Sequence, residues 1–271
     1  MFRRKAGGVE LTEAGRVFLD RVRATIAQYD GALEATRSAA RGEQGRLCVG
    51  VMPTAPFHPF VPFVIRAFRA AFPLVSLTLD ECLRKEALER LHDGKMDVAF
   101  MRAHLDEPHN LLVNPLLVEP LVVALPGDHP MARRERGGAV PISLKDLAGE
   151  TFIIYARQLG PAFYEATMAA CLKAGFSPRL GQEAPRIISA LSLVAVGLGI
   201  TLVPACMQCM TMDGIVYRRL KGSDQPKAVL NLAWRRGDLS PVVRNFVNLV
   251  RRIAKHFPAD AGMGATAPRS D

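Results

Sequence analysis

From Arg46 onward, short apolar stretches alternate with helical patterns, and this alternation restricts the fold more than any other feature of the chain. Strands are predicted at 46–51, 75–80 and 96–101, separated by helices at 57–72 and 83–93. This order places parallel strands in one sheet, with right-handed crossovers between them. The alternation continues with strands at 120–125, 152–156, 179–183, 200–203 and 230–235 and helices at 161–174, 186–196 and 240–256. The sequence therefore predicts an α/β fold of two lobes.

A long helix is predicted over residues 12–41, ahead of the α/β region. Thr12 is a favourable N-cap, and apolar side chains recur along one face at steps of three and four residues. The members of this stripe are Leu19, Val22, Ile26, Tyr29 and Leu33. The stripe favours a partner helix, so we expect it to hold copies of the chain together. The alternative is an amphipathic helix that lies on its own domain.

The remaining segments complete the predicted domain organisation. Residues 1–11 precede the long helix, and the polar segment 42–45 predicts a hinge. Residues 46–257 are predicted to form the two-lobed domain, with lobe I at about 46–122 and 232–257 and lobe II at about 123–231. Residues 258–271 are rich in Pro, Gly and Ala, which predicts a disordered tail.

The positive charge of the chain is concentrated at its two ends. The net charge is +9, from 35 Lys and Arg against 26 Asp and Glu. Residues 1–46 have 9 basic and 6 acidic side chains, residues 47–217 have 15 and 16, and residues 218–256 have 10 and 2. A basic chain is typical of a protein that meets nucleic acid or an anionic surface, although the C-terminal excess is equally consistent with solvated surface.

Two features bear on where the protein works. The first residues lack the apolar core of a signal peptide, and the 5 cysteines are an odd number, so a cytoplasmic protein with reduced thiols is predicted. Residues 187–212 contain no charge and are long enough to cross a bilayer. Gly197, Gly199 and Pro204 divide this stretch, so we expect a buried helix, turn and strand and no membrane contact.

The run FRRKAGGVELTEAGRVFL at residues 2–19 resembles the end of the winged helix-turn-helix of LysR-type transcriptional regulators. Matching positions in that pattern are Phe2, Arg4, Gly7, Val9, Leu11, Thr12, Ala14 and Gly15. Four later segments resemble the effector-binding domain of the family: GRLCVGVMPTAP, ECLRKEALERLHDGKMDVAFMR, FIIYARQLGPAFYEATMAACLKAGFSPRL and AVGLGITLVP. The resemblance covers residues 2–257 in order and spacing, and it identifies the chain as a member of this family.

The resemblance implies a regulator that binds DNA in its full-length form and assembles as a homodimer or homotetramer. In this sequence residues 1–11 correspond to the wing, and Arg3, Arg4 and Lys5 are expected to contact DNA phosphates. The family's recognition helix would precede Phe2, so we expect this chain to bind DNA weakly and without sequence preference.

The resemblance also implies the fold of type 2 periplasmic binding proteins, in which two crossing strands join the lobes and a ligand occupies the cleft. In open α/β sheets, ligands lie beyond the carboxyl ends of strands, near helix N-termini. Two segments occupy such places: Pro53–Thr54 after the strand at 46–51, and residues 156–160 before the helix at 161–174. Free amides and helix dipoles there would favour a carboxylate.

Nearby cationic and polar residues complete the predicted effector site. Arg102 follows the strand at 96–101, and Arg157 follows Tyr155; an Arg grips a carboxylate with two hydrogen bonds. Gly160 precedes the second helix, and Arg84 takes a position where many family members have a small hydroxyl residue. Each has a plainer alternative: a solvated arginine, a core tyrosine, or an ordinary N-cap for Thr54.

The site chemistry favours a small organic anion. The YAR and GLGITLVP runs resemble regulators of aromatic catabolism, which points to an aromatic-pathway carboxylate. No catalytic residue, metal site or cofactor is predicted, since the C-x-x-C at Cys206 and Cys209 lacks further zinc ligands and His104 and His109 lie in a polar loop. Two other classes remain open, a cytoplasmic solute-binding module and an enzyme of the same two-lobed fold.

Overall fold

The computed structural model describes residues 1–5, 7–102, 110–132, 140–158, 160–222 and 225–258. The helices are α1 (Glu13–Arg41), α2 (Phe60–Ala71), α3 (Arg84–His92), α4 (Pro161–Lys173), α5 (Ile187–Ala195) and α6 (Pro241–Ala254). The strands are β1 (Phe2–Lys5), β2 (Gly8–Leu11), β3 (Gln44–Val51), β4 (Leu74–Glu81), β5 (Val98–Met101), β6 (Leu111–Pro126), β7 (Thr151–Tyr155), β8 (Arg179–Ala184), β9 (Thr201–Pro204), β10 (Ile215–Arg219) and β11 (Lys227–Arg235). The predicted tail lies almost entirely outside the described residues.

The chain opens with a small hairpin that leads into the long helix. Strands β1 and β2 pair antiparallel, and the Thr12 hydroxyl accepts a hydrogen bond from the Gly15 amide at 3.1 Å. Thr12 is therefore the N-cap that the sequence predicted, because it satisfies an amide that the first turn leaves without a helical partner. Helix α1 then continues over 29 residues.

The end of α1 is fixed firmly to the α/β region. Gly42 adopts a left-handed conformation (φ 71°), and a Cβ there would lie 2.5 Å from the carbonyl carbon of Pro241. The side-chain amide of Asn245, on α6, donates to the carbonyl oxygens of Arg41 and Gly42 at 2.8 and 3.2 Å. Strand β3 already begins at Gln44, so the polar segment predicted at 42–45 is a two-residue connection clamped by α6.

Lobe I has the parallel arrangement that the strand–helix alternation predicted. Strand β3 pairs parallel with β4 on one side and with β5 on the other. Helices α2 and α6 cover one face through an aromatic cluster of Phe60, Phe68, Phe100 and Phe246, each fully buried. Edge-to-face ring packing, with centroids 5.0 Å apart for Phe68 and Phe246, adds specificity to the area that these rings bury.

Helix α2 is shorter than its pattern predicted. Residues 55–57 form a 3₁₀ turn, His58 is extended (ψ 122°), and the α-helix begins only at Phe60. The cause is Pro59, whose ring disfavours a helical conformation at the residue before it. The predicted helix at 57–72 was therefore wrong at its N-terminal end, which is the end nearest the predicted site.

Two long antiparallel strands connect the lobes. Strand β6 pairs with β11 over residues 111–120 and with β10 over residues 122–126, while β11 also pairs with β5. Only 120–125 was predicted as strand; the part that was missed contains Pro115, a residue type that is disfavoured within paired strands. The pairing accommodates Pro115 at a shift in register between Leu230 and Asn231.

Lobe II is built on the other end of these strands. Strand β9 pairs antiparallel with β6, β7 pairs parallel with β8, and a bridge between Phe152 and Ile200 links the two pairs. Strand β10 was not predicted from the sequence, because its YRR run is typical of a charged, exposed segment. The uncharged stretch 187–212 folds into α5, β9 and a 3₁₀ turn, and none of the described helices is long and apolar enough to cross a membrane.

The aromatic cluster of lobe I predicts a large and local effect on stability. Replacing Phe246 with Ala removes a ring that contacts both Phe68 and Phe100, so we expect the free energy of unfolding to fall by about 3–5 kcal/mol. Denaturant unfolding followed by circular dichroism measures this loss. Leu239→Ala is the control, since Leu239 is 91% exposed and its loss should change stability little; equal effects would contradict the assigned core.

Candidate functional site

Arg102 lies at the junction of the lobes, directly after β5. Its side chain is only 3% exposed, and its Nε donates a hydrogen bond to the hydroxyl of Thr54 at 2.9 Å. Its Nη2 donates to the carboxylate of Glu119, on β6, and forms a buried ion pair with it. The guanidinium also lies over the ring of Phe163, on α4, with its carbon 5.9 Å from the ring centroid.

Glu119 extends this contact to the segment that follows β9. Its second oxygen accepts a hydrogen bond from the backbone amide of Cys206 at 2.7 Å. We call Thr54, Arg102, Glu119 and Cys206 the Arg102 cluster; its members come from the connections after β3, β5 and β9 and from the crossing strand β6. Because both charges are buried, each depends on the other for its compensation.

The cluster retains one unused hydrogen-bond donor. Nη1 of Arg102 is buried and has no hydrogen-bond partner among the described residues, whereas Nε and Nη2 are both engaged. Buried polar groups without partners are uncommon in folded proteins and call for an explanation. A donor of this kind, next to an aromatic ring, can bind an oxygen atom of a ligand or of water.

A neutral imidazole lies beside the ion pair. His58 is 4% exposed, and its Nδ1 accepts a hydrogen bond from the Phe60 amide at 3.2 Å. Burial lowers the pKa of His58, the positive charge of Arg102 lowers it further, and Glu119 opposes both effects. His58 therefore adds no positive charge to the cluster at neutral pH.

The predicted pair of amide-rich helix ends is partly wrong. Thr54 makes no side-chain cap, since its hydroxyl is bound by Arg102 instead. The Ala55 amide donates to Met52, and the Gly160 amide donates to Ala156. Pro56 and Pro161 occupy the first turns of their helices and lack an N–H altogether. The positive character of this junction therefore comes mainly from Arg102, which Glu119 neutralises.

Tyr155 and Gly160 lie on the lobe II side of the same junction. The Tyr155 ring packs edge-on against Phe163 with centroids 6.5 Å apart, so Phe163 connects it to Arg102. A Cβ at Gly160 would overlap the Tyr155 ring, which explains why glycine stands there. Burial raises the pKa of the Tyr155 hydroxyl, and the positive charge of Arg186 opposes that rise.

The other predicted site residues lie at different places in the structure. Arg157 is exposed, and its guanidinium lies over the Tyr164 ring at 5.5 Å rather than on the Arg102 cluster. Arg84 is the first residue of α3, and it and Pro53 are half-buried. The structure thus brings Thr54 and Arg102 into direct contact. Tyr155, with Gly160 against its ring, is connected to them through Phe163. Arg157 lies over Tyr164 and does not contact the Arg102 cluster.

Sequence reasoning missed Glu119, Cys206 and Phe163. Glu119 had a detectable signal, because it precedes the apolar run 120–125 and a carboxylate flanking a buried strand usually has a cationic partner. Nothing in the sequence pairs it with Arg102, since the two meet only when β6 crosses between the lobes. Cys206 binds Glu119 through its backbone amide, which any residue other than proline supplies.

The lobes contact each other at this junction, where Arg102 lies against Phe163 and the Sγ of Cys206 lies 4.0 Å from the carbonyl oxygen of Thr54. Within lobe II, a cavity of about 10 Å³ lies between Tyr155, Phe163 and Thr201, which is room for roughly one water molecule. At the surface, Arg186 on lobe II pairs with Glu81 on lobe I at 3.2 Å. A larger groove of about 1080 Å³ lies between α2 and β4, away from the Arg102 cluster.

Two further surfaces correspond to sequence predictions. Arg3, Arg4 and Lys5 are exposed on β1, and Lys5 pairs with Glu10 at 2.6 Å. On α1, the exposed fractions of Ile26, Tyr29 and Leu33 are 55, 64 and 37%. The remaining members of that stripe, Leu19 and Val22, are half-buried. In the single chain, the central part of this apolar stripe is therefore exposed to solvent.

The structure describes no metal centre. Among the described residues, no group of three or more His, Cys, Asp or Glu side chains could hold a metal ion. His104 and His109 lie outside the described residues.

Two α/β lobes joined by crossing strands around a buried polar cluster define a ligand-binding protein of the type 2 periplasmic-binding-protein fold. The LysR substrate binding domain matches residues 40–255, and the chain belongs to the LysR family of transcriptional regulators. The HTH-type transcriptional regulator CatR of Pseudomonas putida is 34% identical over 249 residues, covering 91% of this chain and 82% of CatR. The relatives are named as transcriptional regulators and not as enzymes.

Solved structures support the same family. The LysR family regulator CbnR superposes with a TM-score of 0.81 at 25% identity, covering 93% of this chain and 84% of CbnR, and a structure of full-length CbnR with its target DNA is known. The effector-binding domain of BenM with its effector benzoate superposes with a TM-score of 0.67 at 25% identity, covering 83% of this chain and 96% of that domain.

The buried ion pair predicts an asymmetric response to mutation. Glu119→Gln leaves the Arg102 charge buried without its counter-charge, so we expect the free energy of unfolding to fall by about 3 kcal/mol. Adding Arg102→Met to Glu119→Gln removes that charge and should restore part of the loss, since the amide oxygen that replaces the carboxylate can still accept from the Cys206 N–H.

Chemical denaturation of the two single variants and the double variant measures the coupling. Glu81→Gln, which breaks the exposed pair with Arg186, is the matched control and should change stability little. Strictly additive losses would show that Arg102 and Glu119 do not compensate each other.

Proposed function

We propose that this LysR-type regulator senses a small organic anion between its two lobes. The observation that carries the proposal is the Nη1 of Arg102, a buried donor without a partner among the described residues, at the junction of the lobes. Thr54 and Glu119 hold the guanidinium in place, and the aromatic ring of Phe163 covers it. A carboxylate is the natural ligand for a donor of this kind, because hydrogen bonds between ionised groups are about twice as strong as neutral ones.

An aromatic carboxylate fits the surroundings best. Phe163 and Tyr155 offer ring surfaces on the lobe II side of Arg102. The related BenM domain has been solved with benzoate, which is an aromatic carboxylate. Pro53, Arg84 and Arg157 remain candidates for contacts at the periphery of the site.

Ligand binding would act on the balance between closed and separated lobes. Phe163 of lobe II covers the Arg102 guanidinium, so the anion would enter through a form in which the lobes are further apart. A ligand shifts such a balance only as far as its affinities for the two forms differ. The contacts of Glu119 with both Arg102 and Cys206 make the ion pair the element that a ligand at Arg102 would disturb.

The remaining parts of the protein would connect this signal to DNA. We propose that the stripe of α1 joins two copies into a homodimer, from which a homotetramer can be built, and that Arg3, Arg4 and Lys5 contact phosphates. CbnR has been solved with its target DNA, which supports a nucleic-acid partner for the family. We further propose that the protein works in the cytoplasm, which a DNA partner supports.

Benzoate tests the effector proposal directly. We expect benzoate to raise the melting temperature of the protein more than the neutral isostere benzamide does, because a carboxylate oxygen accepts from the free Nη1 of Arg102 more strongly than an amide oxygen. At one hundred times its dissociation constant, a ligand adds about 2.7 kcal/mol of stability. Differential scanning fluorimetry over a benzoate series gives the apparent affinity.

A pair of variants locates the site. Thr54→Val removes the hydroxyl that orients Arg102 and should weaken benzoate binding by roughly tenfold, about 1.4 kcal/mol. Thr36→Val makes the same substitution on α1, where the hydroxyl bonds only its own helix at 2.8 Å, and should leave binding unchanged. No response to benzoate and other carboxylates, or an equal response in both variants, would contradict the proposed site.

The stripe on α1 has its own test. Ile26→Glu places a charge in the middle of the stripe and should shift the assembly toward monomer, since a charge is costly at an apolar interface. Gln28→Glu adds the same charge away from the stripe and should not. Light scattering coupled to size-exclusion chromatography distinguishes the two, and a monomeric wild-type protein would contradict the role of α1.

A further inference from the structure

Two cysteines occupy one turn of helix beside the Arg102 cluster. Cys206 and Cys209 lie in the 3₁₀ turn Ala205–Cys209, which follows β9. In a 3₁₀ helix, residues three apart eclipse each other and are separated by about 6 Å along the axis. That spacing falls within the Cα separation of disulfides, which is about 4.4–6.8 Å. The Cα separation expected for this pair is therefore within the range of a disulfide.

Both thiols face the same neighbouring segment. The Sγ of Cys206 lies 4.0 Å from the carbonyl oxygen of Thr54, and the Sγ of Cys209 lies 4.0 Å from that of Phe57. These carbonyls flank the 3₁₀ turn at 55–57, so the two side chains point to one side, toward lobe I. The shared direction is independent of the spacing and supports the same bond.

The two cysteines differ in their access to solvent. Cys209 is exposed, whereas Cys206 is 2% exposed. An exposed thiol can meet an external reagent, and a buried neighbour can then resolve the adduct. This division of labour is typical of dithiol pairs.

We propose that Cys206 and Cys209 are a redox-active pair that forms a reversible disulfide by exchange with a low-molecular-weight disulfide such as oxidised glutathione. The proposal goes beyond effector binding and does not depend on it.

The exchange balances in two steps. The Cys209 thiolate attacks one sulfur of the external disulfide, forms a mixed disulfide and releases the first small thiolate. The Cys206 sulfur then attacks the Sγ of Cys209, breaks the mixed bond and releases the second small thiolate. The two protons of the cysteines pass to the departing thiolates. The pair loses two electrons, and the external disulfide gains them.

The environment of the two thiols determines which cysteine reacts first and how fast the exchange proceeds. Burial raises the pKa of both thiols, and the Cys206 thiol is the more strongly affected, although the positive charge of Arg102 opposes its rise. Cys209 therefore reacts first. Since the thiolate is the nucleophile, the exchange should be slow at neutral pH and accelerate as the pH rises.

Oxidation of the pair would change contacts within the Arg102 cluster. The Nη2 of Arg102 lies 3.6 Å from the Sγ of Cys206, whose backbone amide binds Glu119. A disulfide removes the S–H of Cys206 and turns its sulfur toward Cys209, so the contact of this turn with Thr54 changes. We expect the oxidised and reduced proteins to differ in melting temperature.

Thiol mapping in glutathione redox buffers tests the proposal. The reduced full chain is equilibrated with defined ratios of oxidised and reduced glutathione, quenched, alkylated under denaturing conditions and cleaved with trypsin. Cys206 and Cys209 share the peptide 187–218, because no Lys or Arg lies between Arg186 and Arg218. Glutathione also spares Met207, Met210 and Met212 from the oxidation that a peroxide would cause.

In oxidising buffer, we expect neither cysteine of the peptide 187–218 to be alkylated and its mass to be two hydrogens below that of the unlabelled reduced peptide. Excess reduced glutathione should restore the alkylation of both cysteines. Cys209→Ser should leave Cys206 fully alkylated and abolish the difference in melting temperature. Cys206→Ser should hold Cys209 as the glutathione adduct; Cys206→Ala serves if that variant does not fold. Cys82→Ser, in lobe I, is the control and should oxidise like the wild type.

Three outcomes would overturn the proposal. In the first, both cysteines stay labelled at every buffer ratio. In the second, the wild-type protein stops at the Cys209 adduct, which would show that Cys206 cannot reach it. In the third, Cys209 forms a disulfide with a cysteine other than Cys206.

Discussion

The buried ion pair between Arg102 and Glu119 is the centre of the polar contacts between the two lobes. It joins the end of β5 to the crossing strand β6, and through Glu119 it reaches the backbone after β9. Burying two charges is costly unless they are paired and hydrogen-bonded, so the connections that supply Thr54 and Cys206 must be in place for the pair to be tolerated. The lobes are thus held by polar contacts at their junction, while each has its own apolar core.

The same chemistry makes the junction suitable for sensing. An apolar contact between lobes would offer a small anion nothing to bind, whereas a guanidinium with one donor that has no partner among the described residues would offer a specific one. A ligand that approaches this donor competes with contacts that hold the lobes together. Under the proposed function, binding at this donor would itself shift the balance between the lobes.

Much of the fold could be predicted from the sequence, because hydrophobic periodicity and the residues that begin or end a helix are local properties. Thr12, Gly42 and the strand–helix alternation placed α1 and the parallel part of lobe I nearly at their observed bounds. The incorrect predictions concern segments whose structure depends on residues far away in the sequence. Pro115 stands in a strand because β11 shifts register opposite it, and β10 owes its strand conformation to pairing with β6. Similarly, Thr54 and Arg102 could be selected as site residues, but their neutralising partner Glu119 could not.

The clamp of α6 on the end of α1 has a mechanical consequence. Asn245 and the tight turn at Gly42 attach the base of α1 to lobe I, so the helix is an arm whose base would follow a rotation of this lobe. With 29 residues, the arm is about 44 Å long, and a rotation of roughly 5° at its base would carry its far tip through about 4 Å. A small rearrangement at the base is therefore magnified at the end that carries the basic hairpin.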